Sequence, residues 1–552
     1  MIPPMETLAV EFKSDRKKLS DSDIFDAIVA FANTDGGDIY LGVEHNGKVT
    51  GVHDEHKNTI TLGAYIANNT VPPISVKVIP IEESDNKLVI KISVPKLCSG
   101  IAATASGKVM RRLIKLDGTP ENIPMYPLEM TTRLSSLRLL DFSAMPVNGA
   151  SVKDFDPLET ERLRKTILSY EGDRLLLELQ DEDLFKALGF AREVAGQLLP
   201  TITGLLMIGR KSKIEEHIPT HSASFQVLEG SSVKVNEDMV LPLLATFERL
   251  SDLINARNSE NEIDIGMYRL SAPDFDKRAI REAIVNSFSH RDYTKLGRVR
   301  VIITDEGLTI SNPGGFIEGV TVNNLLTVEP QGRNPLLSDA LKRVGLAERT
   351  GRGIDRIYEG SLIYGKQMPD YSYSTAISVS LLISRGAADT QFTSVIANEQ
   401  KRIGRPLPIN TLLVLNILRD APGSDINKLS KTANLSTTTV KTILGDAIES
   451  GLVETRGNGR GLNYVLAHKV YSNNSNNGYA AGRERQKNID EARYPELILN
   501  LASSQEYISR RDVVNLLNIS SPKAYGALKK LSKSGRLEPV NKGRYAKYRI
   551  NN

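Results

Sequence analysis

The sequence predicts a multidomain protein of mixed α+β and α/β class, ending in two copies of a three-helix module with a two-stranded wing. Three observations carry this prediction. The 552 residues suffice for about four or five domains of ordinary size. Strand-period and helix-period apolar patterns alternate through the first 385 residues. Beyond residue 405 one order, helix, helix, helix, strand, strand, occurs twice.

Residues 20–33 read as an amphipathic helix with Ile24, Ala27, Ile28 and Phe31 as its apolar stripe. Ser20 or Asp21 can cap it. Asn33-Thr-Asp-Gly-Gly37 ends it, and residues 38–43 read as a strand. Asn46-Gly47 is a hairpin turn into a strand at 48–52. Strands follow at 74–80 and 87–94, making residues 1–130 a small α+β domain. The segment 155–195 has a helical pattern, and Thr203-Gly-Leu-Leu-Met-Ile-Gly209 reads as a buried strand. Residues 275–290 are helical, and 298–304 with 308–310 form a hairpin around Asp305-Glu-Gly307. Helices resume near 334–345 and 353–364, so 140–385 reads as one α/β region. Residues 386–404 lose apolar periodicity and read as a linker.

The first C-terminal module spans 405–470, with helices at 410–419, 426–433 and 435–450. An Asn/Ser-rich linker occupies 471–487, and the second module spans 488–552, with helices near 495–502, 509–516 and 521–533. Three helices with a two-stranded wing make a winged helix. Each third helix opens on small hydroxyl residues, Ser436, Thr437 and Thr438 in one and Ser521 in the other. Lys441 follows in the first, Lys523 and Lys529 in the second. Such a helix can bring its N-terminus to phosphate and its exposed face to base edges. The wings carry Arg456 and Arg460, then Lys542, Arg544 and Lys547, cations suited to phosphate contacts. Double-stranded DNA is the expected partner of these modules.

Composition excludes more than it proposes. Hydrophobic residues make up 40% and charged residues 25%, ordinary for a globular chain. A formal charge of +4 does not by itself indicate a partner. One cysteine, Cys98, rules out an internal disulfide framework and a cysteine zinc site, and fits a reducing cytoplasm. Cys98 itself is expected as a packed small hydrophobe. No apolar run is long enough to span a bilayer, and the first residues lack the charged and apolar regions of a signal peptide. His53-Asp-Glu-His56 is the tightest histidine cluster and reads as a solvated loop. Gly42-Val-Glu-His-Asn-Gly47-Lys48-Val49 nearly spells a P-loop, but its context is strand–turn–strand, so it reads as a hairpin.

The chemistry-bearing stretch is Glu282-Ala-Ile-Val-Asn286 with His290-Arg-Asp-Tyr293. A carboxylate and a carboxamide four residues apart share one helix face. Glu282 can take a proton from an attacking water, and Asn286 can supply an oxygen to Mg²⁺ beside phosphates. Asn312-Pro-Gly-Gly315 and Gly351-Arg-Gly353 are glycine turns whose backbone can approach a phosphate. Together they suggest a nucleotide site.

Two resemblances sharpen these readings. Glu6, Glu11-Phe-Lys13, Phe31-Ala-Asn-Thr-Asp-Gly-Gly37 and Leu41-Gly-Val-Glu44 closely resemble the Schlafen-type AlbA_2 domain over residues 1–130. That resemblance implies an alternative activity, metal-dependent cleavage of RNA or DNA. Glu6, Glu11 and Glu44 would then hold Mg²⁺ or Mn²⁺, with Lys13 nearby. Arg281-Glu-Ala-Ile-Val-Asn286, His290-Arg-Asp-Tyr293, Ile310-Ser-Asn-Pro-Gly-Gly315, Arg333-Asn-Pro-Leu336 and Glu348-Arg-Thr-Gly-Arg-Gly353 resemble the RecG-related divergent GHKL, or HATPase_c_4-like, domain, with its core at 275–365. This implies a Bergerat-like α/β sandwich that binds ATP and Mg²⁺. By position, Glu282 is the general base, Asn286 the Mg²⁺ ligand, and His290, Arg291 and Asp292 flank them. Asn312, Gly314 and Gly315 shape the adenine side, and Gly351 and Gly353 border the phosphates. Asn312 stands where an aspartate is usual, and no helicase motor motif is present. The whole order resembles a prokaryotic transcriptional regulator family, for which a homodimer is an expected state.

Overall fold

Ser20 caps the first helix of the chain by accepting from the Asp23 N–H, and the helix then runs Asp21–Ala32 (α1). Its stripe of Ile24, Ala27, Ile28 and Phe31 is buried, as the 3.6-residue period requires. The stripe packs on strands Gly37–Leu41 (β2), Lys77–Glu83 (β3) and Lys87–Val94 (β4), and Val10–Lys13 (β1) adds a fourth strand. These form one sheet in the order β1-β2-β4-β3. β1 and β2 are parallel, with Val10 opposite Asp38, and the remaining pairs are antiparallel. Gly37 closes the helix–strand turn at φ 147°, and a Cβ there would sit 2.4 Å from the Ala9 carbonyl oxygen. Asn33 is buried, donating to the Ala102 and Met110 carbonyls and accepting from the Ala102 N–H.

The computed structural model describes residues 2–83, 87–265, 268–329, 331–348, 351–456, 462–467, 494–504, 507–517, 519, 521–540 and 546–550. The chain divides into two compact units. One holds residues 1–260, 273–360 and 367–386; the other holds 261–272, 361–366 and 387–552. The mixed α+β, multidomain class is as expected. No helix among the described residues is long and apolar enough to cross a membrane.

Beyond the first domain, the first unit is organised by a five-stranded sheet. Its strands are Ala223–Glu229 (β5), Ser232–Met239 (β6), Val299–Ile303 (β7), Gly307–Pro313 (β8) and Ser378–Ser384 (β9), in the order β6-β5-β7-β8-β9. Only β5 and β7 pair in parallel; the other neighbours are antiparallel. Helices Leu243–Asn255 (α2) and Lys277–Ser289 (α3) pack on the sheet, and Phe247 meets Phe288 edge-on between them at 5.4 Å. Asp276 caps α3 through the N–H groups of Arg278 and Ala279. Pro335–Val344 (α4) ends on Gly345 in the left-handed conformation, and Gly353–Leu362 (α5) follows.

In the second unit, helices Ile409–Asp420, Ile426–Ala433 and Thr437–Glu449 precede the antiparallel pair Val453–Arg456 and Asn463–Leu466. Helices Tyr494–Ser504, Arg510–Leu517 and Ser521–Lys533 precede Leu537–Pro539 paired with Lys547–Ile550. The first stretch has the expected order of elements, and the second adds the short strand Ile508–Ser509 between its first two helices, paired with Lys547–Ile550.

Several expectations need correction. Residues 202–208 form a helix, not the strand read from Thr203 to Gly209. All seven residues are buried, so no periodicity separates the two states. Thr201 decides the matter by capping the Gly204 N–H. The segment 386–404, expected as a linker, contains the helix Thr390–Ile403, capped by Asp389 and anchored by buried Phe392 and Ile396. Residues 48–52 form no strand; Val49 makes a lone bridge to Val43 around the Gly47 turn. Cys98 is exposed, not packed.

Candidate functional site

In the first unit, one cavity of about 290 Å³ gathers the expected nucleotide residues. That volume lies at the lower edge of the roughly 300–1,000 Å³ usual for small-molecule sites. Glu282 and Asn286 enter from α3, Asn312 from the end of β8, Gly315 from the turn after it, and Gly351 and Gly353 from the start of α5. Three separate stretches of the chain, 282–286, 312–315 and 351–353, therefore line one cavity. Asn286 lines the cavity, and among the described residues its carboxamide meets no hydrogen-bond partner. Asn312 is buried and donates weakly to the Pro313 carbonyl, which leaves its Oδ1 to accept.

Glu282 is 3% exposed, and burial pushes its pKa up against the pull of Arg356 and Arg281. Its carboxylate is seated on Gly353: a Cβ there would stand 2.0 Å from Oε1. Helix α5 thus presents its N-terminal turn to a carboxylate already supplied by the chain. Gly353→Ala is expected to displace Glu282 and to cost about 1–3 kcal/mol, seen as a lower urea midpoint. An unchanged midpoint would show that the carboxylate has room to move aside.

The residues after the helix divide. His290 lines the cavity, and its pKa is pushed down to about 4, by burial first and then by Arg333 and Lys342, so its imidazole is neutral at pH 7. Arg291 and Asp292 do not line the cavity. Arg291 is fully buried and donates to the carbonyls of Asp292, Thr220, Lys295 and Gly297. Asp292 accepts from the Thr294 N–H and hydroxyl, and Gly314 packs against its Cβ, which puts Gly314 behind the wall as well. Both charged groups are used to fold the loop under the site. Arg333 and Asn334 stitch the same region, Arg333 to the Gly315 carbonyl and Asn334 to those of Ser289 and Arg291.

The sequence reading missed the opposite wall. Phe316, Ile317, Leu325 and Tyr371 supply an apolar side, and Ser338 and Lys342 project from α4. The one available signal was the i, i+4 spacing of Ser338 and Lys342 beside Asn334-Pro335.

In the N-terminal domain the acidic residues are held by protein partners. Glu11 is 5% exposed and receives Arg112 at 2.9 Å, Lys13 at 2.8 Å and the Asn122 amide at 3.0 Å. Glu6 accepts from the Phe12 N–H and contacts His45. Glu44 accepts from Ser14 and Thr50, which hold its pKa below the usual range. Among the described residues no group of three His, Cys, Asp or Glu side chains is placed to hold a metal ion. In the His53–His56 stretch, His56 is buried against Asp15 at 2.9 Å, a folding contact.

On the expected DNA-facing helices, Ser436, Thr437, Thr438 and Lys441 are exposed, as are Ser521, Lys523 and Lys529. Arg456 is half-buried and Lys547 exposed, while Arg460, Lys542 and Arg544 lie outside the described residues.

Comparison with known proteins matches three stretches of the chain. Residues 6–115 match the Schlafen, AlbA_2 family, and residues 297–383 match HATPase_c_4, the ATP-dependent DNA helicase RecG C-terminal family. Residues 132–224 match a domain of unknown function, DUF8451. The HATPase_c_4 match begins after α3, so Glu282 and Asn286 join the site through the cavity they line. No curated protein matches the chain. The crystal structure of the DIP2311 protein from Corynebacterium diphtheriae is similar in fold, with a TM-score of 0.50 at 18% identity over 98% of this chain and 95% of that one. The chain therefore carries a Schlafen-type AlbA_2 domain followed by a RecG C-terminal, HATPase_c_4-type domain.

Proposed function

We propose that the cavity binds ATP and that the chain is a DNA-binding transcriptional regulator whose domain arrangement responds to nucleotide. The observation that carries this reading is the convergence of Glu282, Asn286, Asn312, Gly315, Gly351 and Gly353 on one cavity. Apolar side chains on one wall suit a base, and Asn312 Oδ1 suits its exocyclic amino group. Asn286 would give one oxygen to Mg²⁺, whose bound charge would offset that of the phosphates. Glu282 is buried and already engaged, which favours binding over turnover. The two C-terminal modules act as winged helices. Their third helices present exposed hydroxyl and lysine side chains to duplex DNA. ATP alters DNA binding to the extent that it binds one arrangement better than the other.

ATP with Mg²⁺ at one hundred times its Kd should stabilise the binding domain by about 2.7 kcal/mol, read as a rise in Tm. Asn286→Ala should abolish the rise. No rise in the wild-type protein would remove the nucleotide half of the proposal. Duplex DNA should shift in a gel, with affinity falling steeply as salt rises. An unchanged DNA affinity with and without ATP would remove the link between the two sites.

A further inference from the structure

Gly315, Phe316, Ile317 and Val320 line the cavity from a stretch without helix or strand. Such stretches are ordinarily more mobile than the elements they join, and a ligand that uses one must first order it. Among the described residues, two cations hold this one from outside the cavity. Arg333, 3% exposed, donates to the Gly315 carbonyl at 3.0 Å and to Ser136 Oγ at 2.9 Å. Ser136 ends the helix Pro127–Ser136, and Thr132 of the same helix meets the Thr294 hydroxyl at 2.6 Å. Glu318 does not line the cavity; its carboxylate pairs with Lys96 at 2.9 Å.

Lys96 belongs to the AlbA_2 domain and is itself fixed there. Its ammonium also pairs with Asp35 at 3.0 Å, in the turn after α1. That turn is seated on the backbone of residues 94–96. Gly36 has φ 71°, and a Cβ on it would stand 2.7 Å from the Val94 carbonyl oxygen and 2.8 Å from the Lys96 nitrogen. Leu97 adds the next link: its N–H donates to the Ala32 carbonyl at 2.8 Å, and its carbonyl accepts from Arg133 at 2.8 Å. The Lys96 side chain is 25% exposed and that of Glu318 42%, so their pair is screened less than one on open surface.

We propose that Lys96 is a positioning residue for the nucleotide site. Through Glu318 the AlbA_2 domain holds the apolar wall 315–320 in the arrangement that receives the base. Nucleotide binding in turn steadies the Asp35 turn of the AlbA_2 domain, because coupling between two sites is reciprocal. This rests on the nucleotide reading above and makes that site depend on a second domain of the chain.

Calorimetric titration of the full chain with ATP–Mg²⁺ and with adenosine separates positioning from simple charge. Removing a cation near the cavity would by itself weaken ATP and spare adenosine, and removing a carboxylate would tighten ATP. Positioning gives a different pattern: Lys96→Met and Glu318→Ala should each weaken both ligands about two- to fivefold, the effect of a partly exposed pair. Lys96→Arg, which keeps the charge, should retain the wild-type affinity. The double variant Lys96→Met/Glu318→Ala should bind no more weakly than either single one, since both break the same link. In the wild-type chain ATP–Mg²⁺ should slow amide exchange at residues 33–37 and 94–98 at least twofold, and either single variant should remove that slowing. Losses that follow the sign of the charge removed, or that add in the double variant, would overturn the proposal and leave the nucleotide reading standing. Unchanged affinities with no slowing of exchange would do the same. A wild-type chain that binds neither ATP nor adenosine would overturn the nucleotide reading itself.

Discussion

Arg112→Leu is expected to destabilise the N-terminal domain by about 3–5 kcal/mol, the usual cost of leaving a buried charge without its partner. Arg112 is 4% exposed and Glu11 5%. The guanidinium serves four acceptors: Glu11, Asn122, and the Thr7 and Val10 carbonyls. It also stacks over Phe31, 4.6 Å from the ring centre, and so ties the hairpin Met110–Ile114/Pro120–Pro124 to α1 and β1. Leucine fills the aliphatic space and strands Glu11 with Lys13 and Asn122. Amide exchange in β1 and α1, followed with urea, reads the loss directly. A change below about 1 kcal/mol would mean that water reaches Glu11 and solvates it. The double variant Glu11→Leu/Arg112→Leu should recover part of the loss, because an apolar pair of similar volume leaves no uncompensated charge. One practical point follows for any nucleic-acid cleavage assay. Loss of activity in Glu11→Ala would report unfolding of this domain unless its stability is measured alongside.

The second large effect is on acid stability. His221 is 2% exposed, and burial pushes its pKa down to about 4 from an ordinary 6.5. Its Nε2 donates to the Leu241 carbonyl at 2.8 Å, and among the described residues Nδ1 meets no partner, so the ring is held neutral as the Nε2–H tautomer. In the unfolded chain the same ring protonates near 6.5, so between pH 6.5 and 4 the unfolded state binds the extra proton. Stability therefore falls as pH falls through that window, by about 3 kcal/mol for His221, and this contribution levels off below pH 4. His290 has the same direction and range, with a smaller effect because it is partly exposed. Urea midpoints measured from pH 7 to 4 should show the slope, and His221→Gln should flatten it. A wild-type midpoint that holds steady from pH 6.5 to 5 would mean that His221 is already protonated or that solvent reaches it.

How much was legible in the sequence depended on the kind of signal. Helix α1 was readable because Ser20 caps a clean stripe, and α3 because of its apolar period. The Ile202–Ile208 helix was not, because a run buried on all sides carries no period. Thr390–Ile403 was missed because Phe392 and Ile396 are a short stripe among polar residues. At the site, the order Glu282, Asn286, Asn312, Gly353 was legible as motif. The burial of Arg291 and Asp292 was not, because a charged loop residue reads alike whether it meets a ligand or four carbonyls. The wall of Ser338, Lys342 and Tyr371 has no motif of its own and becomes visible only through the tertiary fold.

The parallel pairing of Ala223–Glu229 with Val299–Ile303 has a consequence for anyone dividing the chain. One family match ends at 224, inside the first of these strands, and the next begins at 297, just before the second. A fragment that begins near 275 would keep the strand 299–303 but lose its neighbour, exposing a row of unsatisfied backbone donors and acceptors along a Val- and Ile-rich edge. Such a piece invites self-association through that edge, and any dimer it forms would report the cut and not the native protein. Fragments meant to isolate the nucleotide site therefore need to start before residue 223.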